Sequence, residues 1–402
     1  MRRILAKLVF YALAISTLVV IIGDDSFAQK CELGTCNIKE PKCSSSYEFT
    51  IHKLGKLYND LLNSGKKFLK GVDMYTEDDV SELYQYVYFG NNSQEHPVKW
   101  RVLATTANDY DNTPALFMVT EQAVCIKDMK DMYNINDVLK EDVLKEYFTE
   151  SEQNAILQTS NLDSLLGQKL FLLSEGEVTS RQYGFWKDKN RNSLRTLKMT
   201  DECDEEYNVE WWLRDTKNSG SRKVRSMVGE FGEITQRTYG KGAIRIALNI
   251  SFSNIVCTHN AKQVNYAEKV SSKLNRVDDR VNEFKLTILD DTRNNFKVNQ
   301  DEVTTQIGEV IQLDYMNAMP QMPNKEEYIS AIVKDKNGRQ LYYGKLANVD
   351  VSGSGTVCME IPKDIKRGEY TLVIMNEQEN GVRQTNYAGY DTVKLVIEKR
   401  AS

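Results

Sequence analysis

The sequence predicts an α+β domain followed by an all-β, immunoglobulin-like sandwich. Between residues 49 and 260, short apolar or alternating runs are mixed with segments of helical period. From 284 to 398, seven short strand-like runs follow one another with no helical stretch. Residues 261–283 between them are polar and charged, the composition of a connector. A chain of 402 residues is long enough for two or three domains with substantial cores. The formal net charge is -5, with 52 Lys and Arg against 57 Asp and Glu and no long basic run, so no nucleic acid partner is expected.

The first residues, MRRILAK, are basic, and residues 8–22 are apolar. Ser26 and Ala28 then stand at the spacing a signal peptidase reads, so cleavage between Ala28 and Gln29 is expected. The apolar run falls short of the ~20 residues a membrane-spanning helix needs, and the processed chain is expected to be exported and not membrane-spanning. Residues 29–48 read as a polar tether. Leu54, Leu57, Leu61 and Leu62 mark an amphipathic helix.

Three strand-like runs, LYQYVYFG, VKWRVLA and ALFMVT, are separated by the turn-rich NNSQEHP and TTANDYDNTP, and predict an antiparallel meander. Leu139, Val143 and Tyr147, four apart, predict a helix, and Thr149 with Glu152 a capping box for the next one. LFLLS, residues 170–174, reads as a buried strand, and Ser174 with Glu177 as a second capping box. In NVEWWLR, a strand places Val209, Trp211 and Leu213 on a core face and Glu210, Trp212 and Arg214 on an outer one. AIRIALNIS alternates Ile244, Ile246, Leu248 and Ile250 with Arg245, Ala247 and Asn249, the pattern of a half-buried strand.

The second unit holds KLTIL, EVIQLDY, EYISAIVKD, QLYYGKL, TVCMEI, YTLVIMNE and DTVKLVIE, with a hairpin turn at Asn337-Gly338. Cys358 is its only cysteine, so the inter-sheet disulfide of antibody domains is excluded.

The chain has seven cysteines and three histidines. An odd cysteine count leaves at least one unpaired within a monomer. No CxxC occurs, and Cys257-x-His259 is a two-ligand fragment where zinc prefers four, so neither a metal nor another cofactor is expected. No nucleophile elbow, HExxH, P-loop or dinucleotide loop is present, and no catalytic residue is assigned. The NDYDN turn, residues 108–112, lacks the glycine and terminal glutamate of an EF-hand loop.

YFGNNSQEHPVKWRVL, LFMVTEQAV, LKEYFTESEQNAI, KLFLLSEGEV, WWLRDT and GAIRIALNI follow one another in an order that resembles the bacterial domain-of-unknown-function family 6273, over about residues 80–260. The chain departs from that pattern at Asp215, at Ile246 and at the NNS that follows the FG segment. The resemblance implies export by a Gram-positive-type bacterium and a C-type-lectin-like fold, but no activity.

Two functions from different classes remain as expectations. One is a binding or scaffolding module for a glycan or surface protein, with Trp212, Arg214, Asp215 and Arg245 as candidate ligand-binding residues. Here an indole stacks and a guanidinium supplies forked donors. The bland alternative makes Trp212 a packing residue and pairs Arg214 with Glu210 or Asp215. The other function is an enzyme on a lectin-like fold resembling formylglycine-generating oxidases, with Cys203 and Cys257 as its reactive pair.

Overall fold

The computed structural model describes residues 85–398, apart from 109–112, 160–166, 186, 201–204, 220–221, 262–269, 278–281, 322 and 324. The expected signal segment with its Ala28–Gln29 cleavage, the tether, the helix near Leu57 and Cys203 lie outside the described residues. What is described is predominantly β-sheet; its α-helical segments, all short, fall in the first unit, and a single 3-10 turn, Asp291–Arg293, stands in the second.

The first unit contains β1 (Tyr86–Asn91), β2 (Pro97–Thr106), β3 (Pro114–Thr120), β4 (Cys125–Asp128), β5 (Leu170–Leu172), β6 (Lys198–Thr200), β7 (Glu206–Asn208), β8 (Trp211–Ser219), β9 (Arg222–Val228), β10 (Ile234–Arg237), β11 (Lys241–Ile244) and β12 (Ile246–Ser251). The expected meander is formed: β1 pairs antiparallel with β2, and β2 with β3. β12 and β5 extend that sheet, while β10, β9, β8, β11 and β4 form a second one.

Each face of the meander sheet is covered. One packs Phe89, Trp100, Leu116 and Met118 against the helical segment near Leu139, and the other packs Phe117, Val119 and Phe171 against Phe185, Leu197 and Trp211. Strands buried on two faces read as continuous apolar runs, which is why ALFMV and LFLL carry no polar alternation.

Both capping boxes are present, Thr149 with Glu152 and Ser174 with Glu177. The helix expected through Leu139, Val143 and Tyr147 is interrupted. Ile135–Val138 and Leu144–Tyr147 are α-helical, and Leu139–Val143 between them is a wide π turn in which Leu139 and Val143 are buried.

β13 (Ile255–Asn260), β14 (Asn275–Arg276), β15 (Glu283–Leu289), β16 (Lys297–Val298), β17 (Glu302–Gln306), β18 (Val310–Met316), β19 (Glu326–Lys334), β20 (Gln340–Asn348), β21 (Gly355–Glu360), β22 (Gly368–Glu379) and β23 (Asn386–Glu398) follow. Each of the seven runs read from the sequence is a strand here. β20, β19, β22, β23 and β17 lie side by side, and β16, β18 and β21 form a separate sheet. Leu313, Tyr315, Val357 and Met359 of the smaller sheet meet Ile329, Ala331, Leu372, Ile374, Val393 and Leu395 of the larger in one core.

β15, expected to open the second unit, joins both units. Its first half runs parallel to β1, its second half parallel to β23, and its other edge carries β13 antiparallel. A single sheet therefore passes from one unit into the other, because β15 presents two hydrogen-bonding edges and both are taken.

Candidate functional site

The period-two rule divides the two tryptophans correctly but leaves neither at the surface. Trp211 and Leu213 pack with Val228 and Phe171 on one face, and Trp212 packs with Met227, Met132 and Ile244 on the other. Both indoles are 0% exposed, so the expectation of an outward Trp212 is corrected. Its ring N–H donates to the Lys127 carbonyl (3.0 Å), while that of Trp211 donates to the Arg195 carbonyl (2.9 Å). β4 and the segment after it cover the face that strand periodicity alone assigns to solvent.

Arg214 pairs with neither Glu210 nor Asp215. Its guanidinium grips Glu177 with two hydrogen bonds (2.5 and 3.0 Å) and donates to the Leu172 carbonyl. Glu177 also closes its own helix cap and accepts from Asn108, which in turn accepts from Asn249. Asp215 accepts from the Glu175 backbone N–H (2.6 Å), fixing the same helix start. These two candidates tie β8 to the turn after β5.

Arg245 stands where the chain leaves β11 and enters β12, crossing from one sheet to the other. The half-buried reading of this strand is corrected: Arg245, Ala247 and Asn249 are buried with the isoleucines. Arg245 donates through Nε to the Thr120 carbonyl (2.8 Å), lies 3.5 Å from Glu121, and its guanidinium carbon sits 5.1 Å from the Trp211 ring centre.

That arginine backs a cleft of about 630 Å³. In the cleft wall, Arg101 holds Glu121 through two hydrogen bonds (2.5 and 3.0 Å) and donates to the Leu194 carbonyl. Burial pushes the Glu121 carboxyl up, but the Arg101, Arg245 and Lys99 charges outweigh it and hold the group below the usual carboxylate range. Lys99 lies 4.2 Å from the Tyr86 ring centre, 6.0 Å from that of Tyr88 and 2.9 Å from Glu283. The turn Asn92–His96 makes one rim, where Asn92 Oδ1 accepts from the Gln94 and His96 backbone N–H groups. Lys99, Arg101 and Lys198 face Glu121 and Glu206 across the lining, so the charges nearly balance. No local pattern marks this cleft, since strands β1 and β2 build it together with Leu194, Lys198 and Glu206 from distant parts of the chain.

A second cluster lies where the two units meet. Cys257 and His259 share one face of β13, and Glu377 of β22 reaches them through the seam. His259 Nε2 is 3.3 Å from Cys257 Sγ, 3.2 Å from Glu377 Oε1 and 2.9 Å from Thr287 Oγ1. Tyr343, Thr287 and Asn386 donate to Glu377 at 2.8 to 3.0 Å. Burial alone pushes the His259 imidazole down, but the Cys257 and Glu377 charges and hydrogen bonds raise it to about 10. Glu377 is displaced the opposite way: His259, Tyr343 and Asn386 outweigh its burial and hold it well below the usual carboxylate range. Two residues of sequence separation made the Cys-x-His pair visible, whereas Glu377 has no local signal.

Both capping boxes, the WWLR strand and the arginine at the sheet crossing fall within a single stretch that a family model matches. Residues 134–252 match the model of Domain of unknown function (DUF6273). No curated protein matches the chain.

The DUF6273 match covers less than half of the chain and is narrower than the resemblance read over residues 80–260. Trp211, Trp212, Arg214, Asp215 and Arg245 lie inside it, so the four candidate residues belong to the DUF6273 segment's own framework. The cleft straddles its boundary. Leu194, Lys198 and Glu206 come from the DUF6273 segment, while Tyr86, Lys99, Arg101 and Glu121 precede it. Cys257, His259 and Glu377 all lie beyond it.

Proposed function

We propose that the protein is an exported, non-catalytic binding module whose ligand is a glycan received in the cleft above Arg101 and Glu121. One observation carries the reading: a cleft of about 630 Å³ with nearly balanced charges and side-chain amides on its rim. Balanced charge suits a neutral, hydroxyl-rich ligand better than a phosphate or polyanion. That volume lies within the roughly 300–1,000 Å³ typical of small-ligand sites, whereas a surface protein would need ~800 Å² of contact per partner.

In this reading the Trp211/Trp212 strand and Arg245 hold the cleft wall in place rather than touch ligand. The first unit is C-type-lectin-like and the second an immunoglobulin-like spacer or second contact. Residues 1–28 direct export from a Gram-positive-type bacterium to the extracellular side. Among the described residues no helix is long and apolar enough to cross a membrane. The oxidase-like alternative gains no support from Cys257, which is buried and turned toward His259.

The test is a glycan array probed with the chain from Gln29 onward, repeated with Gln94→Ala and Gln122→Ala. Retention of a neutral oligosaccharide, at least tenfold weaker in the variants at unchanged melting temperature, is the expected result. Binding indifferent to both substitutions, or retention only of proteins, would sink the cleft reading.

A further inference from the structure

We propose that Cys257, His259 and Glu377 form a zinc site that pins β13, the strand following the DUF6273 segment, to the sheet of the second unit. A single ring nitrogen distinguishes a metal site from a proton relay here. In a thiol–imidazole–carboxylate relay, the thiol faces one ring nitrogen and the carboxylate the other, so that a proton passes through the ring. Here the thiol and the carboxylate face the same atom, His259 Nε2. The arrangement is a convergence of donors on one point, not a relay.

The spacing fits a small tetrahedral ion. Bonds of ~2.3 Å to sulfur and ~2.0–2.1 Å to nitrogen or oxygen put tetrahedral ligand atoms about 3.3 to 3.6 Å apart. The Sγ–Nε2 and Nε2–Oε1 separations are 3.3 and 3.2 Å, and the three ligand atoms all lie within 4.8 Å of one another. Thr287 Oγ1 lies beside two of them, 2.9 Å from Nε2 and 3.0 Å from Glu377 Oε1, where its hydroxyl or a water in its place completes the set. An ion at the centre needs these edges to open by only a few tenths of an ångström. Thiolate, imidazole and carboxylate are together a donor set that suits zinc and not magnesium or calcium.

Charge and outer contacts agree. A thiolate and a carboxylate neutralise a divalent ion, leaving a buried site with no net charge. Tyr343 and Asn386 orient the carboxylate, the kind of outer-shell hydrogen bonding on which metal ligands depend. Cys257 and Glu377 are 0% exposed and the His259 side chain 9%. So closed a site holds structure and does not admit substrate. This inference is independent of the glycan reading.

The experiment uses the full processed chain, stripped with a chelator and titrated with zinc chloride, reading bound metal by mass spectrometry and stability by thermal melting. We expect one zinc per chain and a melting temperature that falls on stripping and returns with zinc. Glu377→Gln and His259→Gln should each weaken zinc binding at least tenfold. Cobalt in place of zinc should give a thiolate-to-metal charge-transfer band in wild type, a readout that needs no variant to fold. No stoichiometric zinc, or a melting temperature indifferent to zinc and chelator, would overturn the proposal. Full retention of zinc in His259→Gln would also overturn it, because the ion would then belong to other ligands such as Cys31, Cys36 and Cys43.

Discussion

Trp212 shows what strand periodicity reads and what it misses. Alternation correctly separates Trp211 from Trp212, but the cover over Trp212 comes from Met132 and Ile244, distant in sequence and silent in a local pattern. Both Trp211→Ala and Trp212→Ala should therefore destabilise the fold by ~3–5 kcal/mol, measured by chemical denaturation. A Trp212→Ala variant with unaltered stability would contradict the buried geometry. Gly242 is constrained by the same indole: an added Cβ would meet Met227 and lie 2.9 Å from Trp212 Nε1. Gly242→Ala should cost about 1–3 kcal/mol by overpacking. Glu175 supplies a pH test. Desolvation raises its pKa, but Lys189, Ser226 and Lys217 outweigh that and lower it to about 2. A depressed folded pKa adds stability that is whole above the unfolded value near 4.5 and is lost as pH falls from there toward 2. The melting-temperature gap between wild type and Glu175→Gln should thus be open at neutral pH and close across that window.

Elements were more legible than partners. The meander, both capping boxes and the seven later strands follow from local turn chemistry, cap spacing and apolar runs, all of which act within a few residues. A four-residue spacing predicts a continuous helix through Leu139 and does not reveal the π turn. A local reading offers Arg214 either a ligand or a neighbour, Glu210 or Asp215, whereas its partner Glu177 lies on another element. The caps differ in consequence. Thr149→Ala removes one cap acceptor and should cost ~1 kcal/mol. Glu152 accepts from the backbone N–H groups of both Thr149 and Gly90, joining the helix to the end of β1. Removing it leaves the buried Gly90 donor unmet at about 1–3 kcal/mol and also opens the cap at Thr149, so Glu152→Ala should lower the melting temperature more than Thr149→Ala. Equal effects would mean that the Gly90 contact contributes nothing.

At the scale of the molecule, composition divides the chain near residue 284, but hydrogen bonding does not. The polar connector and the change to pure strand periodicity are sequence properties; the parallel pairing of β15 with β1 spans almost 200 residues and leaves no local trace. Because β15 pairs with strands of both units, calorimetry of the chain from Gln85 to Glu398 should show one unfolding transition, not two separated ones. Two well-resolved transitions would mean that the shared strand couples the units weakly. The same strand also fixes how the molecule bears load. β1, β15 and β23 run in one direction, so tension applied between Gln85 and Glu398 pulls on opposite ends of parallel neighbours. Their hydrogen bonds are then loaded in shear and must give way together instead of unzipping singly, which makes the seam between the units a mechanical clamp.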